Sequence, residues 1–501
     1  MNRMERAIAS VAPRWAAKRA QARAMVMHYD AASVGRRNST LRADRTDADA
    51  ASRARQRLSF FARDMVRNTP FGTRAQQVIR SNIVGDGIIP KVVLKNSTLT
   101  AAAQKRLRDE GMDLIERHLD TTDIDRHGRM NLYGLQGLMV NTVVDAGEVL
   151  VRIHQLDPED DTFAIPLQLE VLEPDFLDMT KYGFFDDGAE IRDGIEYDAE
   201  GKRTAYWLYP EHPGGDWSPG TLRGVSERVD VSEVLHIYRL DRPGQQRGVS
   251  WFAPVMQRLV DLADHEDAQL MRQKIAACFA VFRNVGVEKK AGAGLGNVMP
   301  GMIYDVGENE DVKFAVPPGV EGYDEFTRSV LRSVAAGMGI TYEALTGDLS
   351  QVNFASGRMG RLEMDNNVSG WQWLMMMPQL LQPLGRHFIE AWASKADRRL
   401  IEQRETRSLD WRTVTLEWMP PRRFIVDPSR EFTALKEAVR SGFASKQQII
   451  RQLGVDPERL LAEIAQDRDE ADALGLIFDS DPRADPARKA TEPTDRELNN
   501  A

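Results

Sequence analysis

Between Leu150 and Tyr238 the apolar residues arrive in short runs, "LVRIHQL", "LQLEVLEP", "TAYWLYP" and "EVLHIYRL", each closed by Pro, Gly or Asp. That texture is strand-and-turn chemistry. On both sides the spacing is helical. Upstream, "DADAASRARQRLSFFARDMVRNTP" reads as a helix stopped before Pro70, where the residue preceding proline is pushed out of the α region. Downstream, Val255, Leu259, Leu262, Leu270, Ile275, Cys278 and Phe282 recur near i, i+3, i+4 and predict one long helix from about 253 to 283. The chain is therefore expected to fold as α+β, predominantly helical, with a strand-rich region between Leu150 and Tyr238 and two further short strand candidates in the Gly- and Pro-rich segment after 284.

Further punctuation organises the rest. Gly85 and Gly87 supply the positive φ needed to leave a helix and enter a strand at "GIIPKV". A second long helix is predicted from about Tyr323 to Met338. Beyond it lie the polar segment "GDLSQVNFASGR" and then a helical stripe of Met359, Leu362, Trp373, Met377, Leu380, Leu384, Phe388 and Trp392. Pro378 and Pro383 break into that stripe and predict a kink. Compact helices follow, marked by Asp427-Pro428, Gly442, the capping residues at 445 to 448, Gly454 and Asp456-Pro457. Residues 1 to 45 form a basic, Ala-rich arm, and 476 to 501 lack the apolar content to fold alone.

With 501 residues the chain is long enough for more than one core, and a single cysteine, Cys278, excludes an internal disulfide. The polar start has no secretory character, and no run of about 18 apolar residues could span a bilayer. A net charge of −9 argues against a broad, tight grip on nucleic acid, which rests on neutralising phosphates.

Catalytic signatures are thin. The eight histidines are scattered without metal-ligand spacing, and no metal or cofactor is expected. "GAGLGN" at 292 to 297 lacks the order of a phosphate-binding loop, and "GVSWF" lacks the second glycine of a nucleophile elbow. The acidic turn "DTTDIDRH", Asp120 to His127, is the one place where a nuclease-type centre could sit, but such clusters are usually caps. The chain is read as a non-enzyme.

Several collinear stretches resemble one family. They are "RARQRLSFFARDMVRNTPFG", "NIVGDGIIP", "LQLEVLEPDFLD", "GIEYDAEGKRTAYWLYPEHPG", "HIYRLDRPGQQRGVSWFAPVM", "GMGITYEALTGDLSQVNFASGRMGRLE" and "VDPSREFTALKEAVRSGFASKQQIIRQLGVDPE". From about 50 to 475 the chain resembles the lambda-like portal proteins of tailed bacteriophages. The resemblance implies a portal fold assembled as a ring of twelve at one capsid vertex of the virion, built in the bacterial host cytoplasm. It implies an α/β wing at 46 to 250, a first stem helix at 251 to 283, a clip at 284 to 322 and a second stem helix at 323 to 345. A tunnel loop at 346 to 358, a kinked helix with wing completion at 359 to 426 and a helical crown at 427 to 475 would follow.

The partners so implied are further copies of the chain, the large terminase subunit, the major capsid and scaffold or protease proteins, a head-completion adaptor, and double-stranded DNA passing without sequence preference; no membrane is involved. Where family members commonly read N-Y-S-S-A-R, this chain has Asn353, Phe354, Ala355, Ser356, Gly357 and Arg358. DNA-contacting roles are expected for Gln351, Asn353, Phe354, Ser356, Arg358 and Arg361, with Gly357 loosening the loop. Asp261, Asp264, Glu266 and Asp267 are expected to face the channel or a neighbouring subunit. Glu288, Lys289, Lys290, Asp305 and Glu308 are expected on the docking surface of the clip.

Overall fold

Thr69 ends one helix and starts the next. Its N–H donates to Met65 O while its hydroxyl accepts from Gly72 N, and Pro70 occupies the first helical position, where no N–H is needed. The computed structural model describes residues 52–95, 99–215, 225–277, 281–284, 303–306, 322–399, 410–421, 428–452, 457–474 and 476. The arm at 1 to 45 and the tail beyond 476 lie outside them, as does most of the segment 284 to 322. All but residues 242–246 of what is described belongs to one unit. Within 242–246 the Gln245 N–H donates to Arg242 O in a turn.

Helices α1 (Ser52–Asn68), α2 (Pro70–Ile83), α3 (Ala101–His118) and α4 (Leu132–Ala146) pack with three antiparallel strands in the order β3-β2-β9, where β2 is Glu148–Gln155, β3 Leu167–Leu172 and β9 Val234–Tyr238. Strand β9 is buried along its whole length, so it does not alternate, and His236 is buried within it. A second, five-stranded antiparallel meander runs β4 (Gly183–Phe184), β5 (Glu190–Arg192), β6 (Ile195–Tyr197), β7 (Arg203–Leu208) and β8 (Glu227–Asp230). Its own small core holds Leu177, Ile195, Tyr197, Tyr206 and Val229. Strand β1 (Ile89–Leu94) pairs with the distant β12 (Val414–Met419), Ile89 opposite Met419. Gly85 and Gly87 take φ of +54° and +137° at the helix-to-strand exit, as their placement predicts.

Three expectations need correction. The long helix predicted over 253 to 283 is α5 (Met256–Ala277): residues 251 to 255 form the turn that leads into it, and Val281–Asn284 is strand β10, paired in parallel with β11 (Ile303–Val306). The run "VFRN" suits a strand better than a helix end because its β-branched and aromatic residues fit a pleated surface. The loop predicted over 346 to 358 ends early, since α8 (Phe354–Trp371) starts at its capping residue Asn353. The apolar stripe of the broken helix divides: Met377, Leu380, Leu384, Phe388 and Trp392 are core, whereas Met359 is 69% and Trp373 57% exposed. In the upstream half Met364 and Val368 are buried instead.

The physical reason lies between the halves. Residues Gln372–Leu381 are wound as a π-helix between α8 and α9 (Gln382–Arg399), and Pro378 sits inside it. A π-turn bonds i to i+5 and takes more residues per revolution than the 3.6 of an α-helix. The face that is buried after the turn is therefore out of phase with the same 3.6-residue stripe before it. Proline's lost donor is absorbed in this wider winding.

After β12 come α10 (Pro428–Arg440), α11 (Lys446–Gln452) and α12 (Pro457–Leu474). Gly442 takes φ +76° after α10, and the Ser445 hydroxyl accepts from Gln448 N at 3.0 Å, the stop and the cap that the sequence indicates. No helix among the described residues is long and apolar enough to cross a membrane.

Candidate functional site

The polar segment before α8 is built from successive caps. Gly339 closes helix α6 (Tyr323–Met338) in the left-handed region, and Thr341 caps the short α7 (Tyr342–Thr346), its hydroxyl accepting from Ala344 N at 3.1 Å. Gly347 then turns the chain with φ +74°. Asp348 accepts from Ser350 N at 3.0 Å and from Tyr342 Oη at 3.2 Å, and the Ser350 bonds hold its carboxyl below the usual range. Asn353 and Ser356 close a reciprocal capping box: Asn353 Oδ1 accepts from Ser356 N at 2.8 Å and Ser356 Oγ accepts from Asn353 N at 3.1 Å.

Of the residues expected to meet DNA, Gln351, Asn353 and Ser356 are exposed around this cap; for Phe354 the helix position alone is described. Arg358 and Arg361 stand on helix α8, not on a loop. Arg358 is nearly half exposed, with Nη2 3.9 Å from Glu431 Oε1 on α10. Arg361 Nε donates to Asp365 Oδ1 at 3.0 Å one turn along. Gly357 does not loosen a loop either. It is helical, and a Cβ there would stand 2.9 Å from Val352 Cγ1, so its function is close packing of the cap.

Helices α5 and α6 pack together through His265, whose ring stacks on Tyr323 at 5.7 Å and tilts against Phe326 at 4.7 Å. Near the base a Cβ on Gly337 would come 2.4 Å from Val255. Asp261, Asp264 and Asp267 are exposed and Glu266 is half-buried. Among the described residues none of the four meets a cation. The same outward side carries Val260, Leu270 and Met271, all exposed. Acidic and apolar groups thus share one surface of the helix pair. Asp305 lies on β11 opposite Arg283, while Glu288, Lys289, Lys290 and Glu308 fall outside the described residues.

Beside α8 opens a cleft of about 1550 Å³ between β1 and β12, the π-turn and the helices α11 and α12. Trp373, Val92, Leu416 and Met377 supply apolar lining. Six cations line it: Arg80, Lys91, Lys95, Arg108, Arg361 and Arg451. Three carboxylates oppose them, of which Glu417 pairs with Lys95 at 3.4 Å and Asp365 with Arg361.

The acidic turn at 120 to 127 is structural, as such clusters usually are. Asp125 is buried and accepts the backbone N–H groups of His127, Arg129 and Met130, and Asp120 accepts from Tyr133 Oη at 2.6 Å. Glu173, Asp175 and His212 approach closely enough to suggest a cation site. A cation is already there: Arg63 Nη2 lies 2.5 Å from Asp175 and 3.2 Å from Glu173. Gly214 N also donates to His212 Nδ1, which leaves the proton on Nε2, facing Glu173 at 3.2 Å, where a metal would need a lone pair.

One buried constellation escaped the sequence reading. Glu148, at the start of β2, accepts from Arg247 Nε at 2.8 Å and from Gly248 N at 2.8 Å, and lies 3.0 Å from His236 Nε2. Against the cost of burial, Arg247 and His236 hold its carboxyl well below the usual range. Burial, with Arg203 and Arg247 nearby, pushes His236 down to about 4 despite its bond to Glu148. The backbones meet here as well, since a Cβ on Gly147 would be 2.3 Å from Val249 C.

Comparison with known proteins decides the family. The model of the phage portal protein, lambda family, matches residues 34–372. The chain belongs to that family. This portal protein is 24% identical over 439 residues to a protein described as a probable portal protein of Halomonas phage phiHAP-1, covering 83% of this chain and 80% of the relative. It is 19% identical over 333 residues to portal protein B of Escherichia phage lambda, covering 58% of this chain and 60% of that one. Among solved structures it is similar to a chain in the neck of a native gene transfer agent particle, at 13% identity and a TM-score of 0.40, covering 79% of this chain and 94% of the other.

Proposed function

We propose that this portal protein forms a ring of twelve at one capsid vertex, around an axial channel through which a terminase drives double-stranded DNA into the head and from which it later leaves. Its membership of the lambda family carries the reading. In it, 46 to 250 with the kinked helix and wing completion at 359 to 426 form the wing, α5 and α6 the stem, the segment between them the clip that docks terminase and later the head-completion adaptor, 346 to 358 the tunnel segment, and 427 to 475 the crown. Capsid and scaffold or protease proteins surround the ring. The chain supplies ring, dock and pore, and the chemical work belongs to a separate motor.

The charges suit a conduit. Twelve copies carry 12 × (−9) = −108. A phosphate backbone then meets net repulsion, with local and salt-screened attraction from the capped end of α8. The acidic side of α5 contributes to the repulsive wall or to a subunit seam, and Arg358 and Arg361, each near a carboxylate, give weak contact that sets up no deep trap along the path.

The test is the native mass of the purified chain together with DNA retention. A closed ring of 12 × 56.4 kDa, about 677 kDa, with an open axis is expected. Retention of duplex DNA by that ring should be weak at physiological salt and weaker still in R358A/R361A. A stable monomer at all concentrations and salts, or steep DNA affinity at physiological salt, would overturn the reading.

A further inference from the structure

Strands β4 and β5 form a hairpin at the edge of the five-stranded sheet, and its tip is unlike the rest of that sheet. The turn is firmly made: Phe185 N donates to Ala189 O at 2.9 Å, Gly188 N to Phe185 O at 3.0 Å, and Ala189 N to Asp187 Oδ1 at 3.0 Å, with Gly188 at φ +85°. Its base is tied down as well, Tyr182 Oη donating to Asp193 and the Lys181 ammonium lying 4.6 Å from the centre of the Trp207 ring. Yet Phe184 is 82% exposed and Phe185 about half exposed, with Asp186 and Asp187 beside them in solvent. A rigid projection that shows two phenylalanines and two carboxylates to water has the composition of an interface anchor.

The cleft beside α8 has the opposite character. At about 1550 Å³ it exceeds the roughly 300 to 1,000 Å³ of a small-molecule pocket. Its apolar lining includes the exposed Trp373, and cations outnumber carboxylates six to three in a chain that is acidic overall. No residue of the hairpin tip lines the cleft of its own chain. Closed rings are held by head-to-tail contacts that join two different surfaces of the same chain. The two surfaces needed are both present, one aromatic and acidic, one aromatic and basic.

We propose that the tip Phe184–Asp187 of one copy seats in the Trp373 cleft of the neighbouring copy; this rests on the ring reading above. The phenylalanines cover Trp373 and its apolar surroundings, and Asp186 meets the cationic rim near Arg80 and Arg451. The seat also gives a use to the upstream apolar side of α8 and the π-turn, which the winding turns away from the core.

The experiment uses the full chain with C278S, carrying D186C at the tip, Q448C at the cleft or both, so that Phe184 and Trp373 are kept, treated with a short bismaleimide. Adjacent copies should link into a ladder up to twelve in the double variant and not in either single one. A closed ring without the ladder overturns the docking and leaves the ring. A ladder from chains that never close keeps the docking and overturns the ring, and absence of both overturns both. As a check free of added cysteines, F184S should raise the concentration at which half the chains are in rings at least tenfold with the circular dichroism unchanged. No shift overturns the proposal.

Discussion

Replacing Glu148 by glutamine keeps the size of the side chain and removes only its charge. Arg247 then remains buried against a neutral amide, and breaking one side of a buried ion pair costs about 3–5 kcal/mol. The structure supports that range, because Arg247 and Glu148 are both almost wholly buried and the carboxylate also accepts from Gly248 N. Amide hydrogen exchange in the peptides that contain β2 and β9 reports the local opening. Opening should become between about a hundred and several thousand times more frequent in E148Q, at roughly a factor of ten per 1.4 kcal/mol.

The native protein carries a matching pH signature. His236 is held at about 4 when folded against 6.5 otherwise, so between those values the unfolded chain takes a proton that the folded one refuses. Stability of this region should therefore fall as pH drops from 6.5 to 4, by up to roughly 3 kcal/mol, and the depressed carboxyl of Glu148 adds to the loss below its ordinary 4.5. An E148Q chain whose exchange, corrected for intrinsic rates, changes less than about fivefold, or a native chain equally protected at pH 7 and pH 5, would refute the reasoning.

Two glycine substitutions should act in opposite directions. G147A introduces a Cβ 2.3 Å from the backbone of Val249 at a φ of +91° and should lower the melting temperature by an amount equivalent to about 2 kcal/mol or more, whereas G370A, in a helix with open space around it, should raise stability by about 0.5–1 kcal/mol in denaturant titration. N353A removes one half of the capping box and should cost about 1 kcal/mol, seen as faster exchange confined to the first turn of α8; unchanged exchange there would mean that the cap does not hold the helix start.

What was legible in the sequence was local. Thr69-Pro70, Gly85, Gly87, Gly442 and Ser445 each act on neighbours within a few residues, and the structure puts them to the use their chemistry suggests. The start of α8 was also written locally, since Asn353 three residues before Ser356 is a capping signal, but the surrounding polar residues made the segment read as loop. The phase change across 372 to 381 was not legible, because a 3.6-residue template assigns one face to a helix that changes its winding. The Glu148 to Arg247 pair was hidden by 99 residues of separation, and the only trace of it was a lone acid opening an apolar strand. Asp365, four residues after Arg361 on the same helix, was within reach of a local reading, whereas Glu431, beside Arg358, comes from the tertiary arrangement.

The wide winding at 372 to 381 sets the phase between the two halves of one continuous rod. Removing a single residue there would rotate everything upstream by about 100° relative to everything downstream, with almost no change in length. The downstream half, locked into the core through Leu384, Phe388 and Trp392, acts as an anchor that cannot drift. The upstream half, which carries the arginines, has its own hold on the core through Met364 and Val368, so a changed residue count at the joint would pull that grip out of register while the anchor stayed in place. The number of residues in the joint is thus fixed by the two grips it connects.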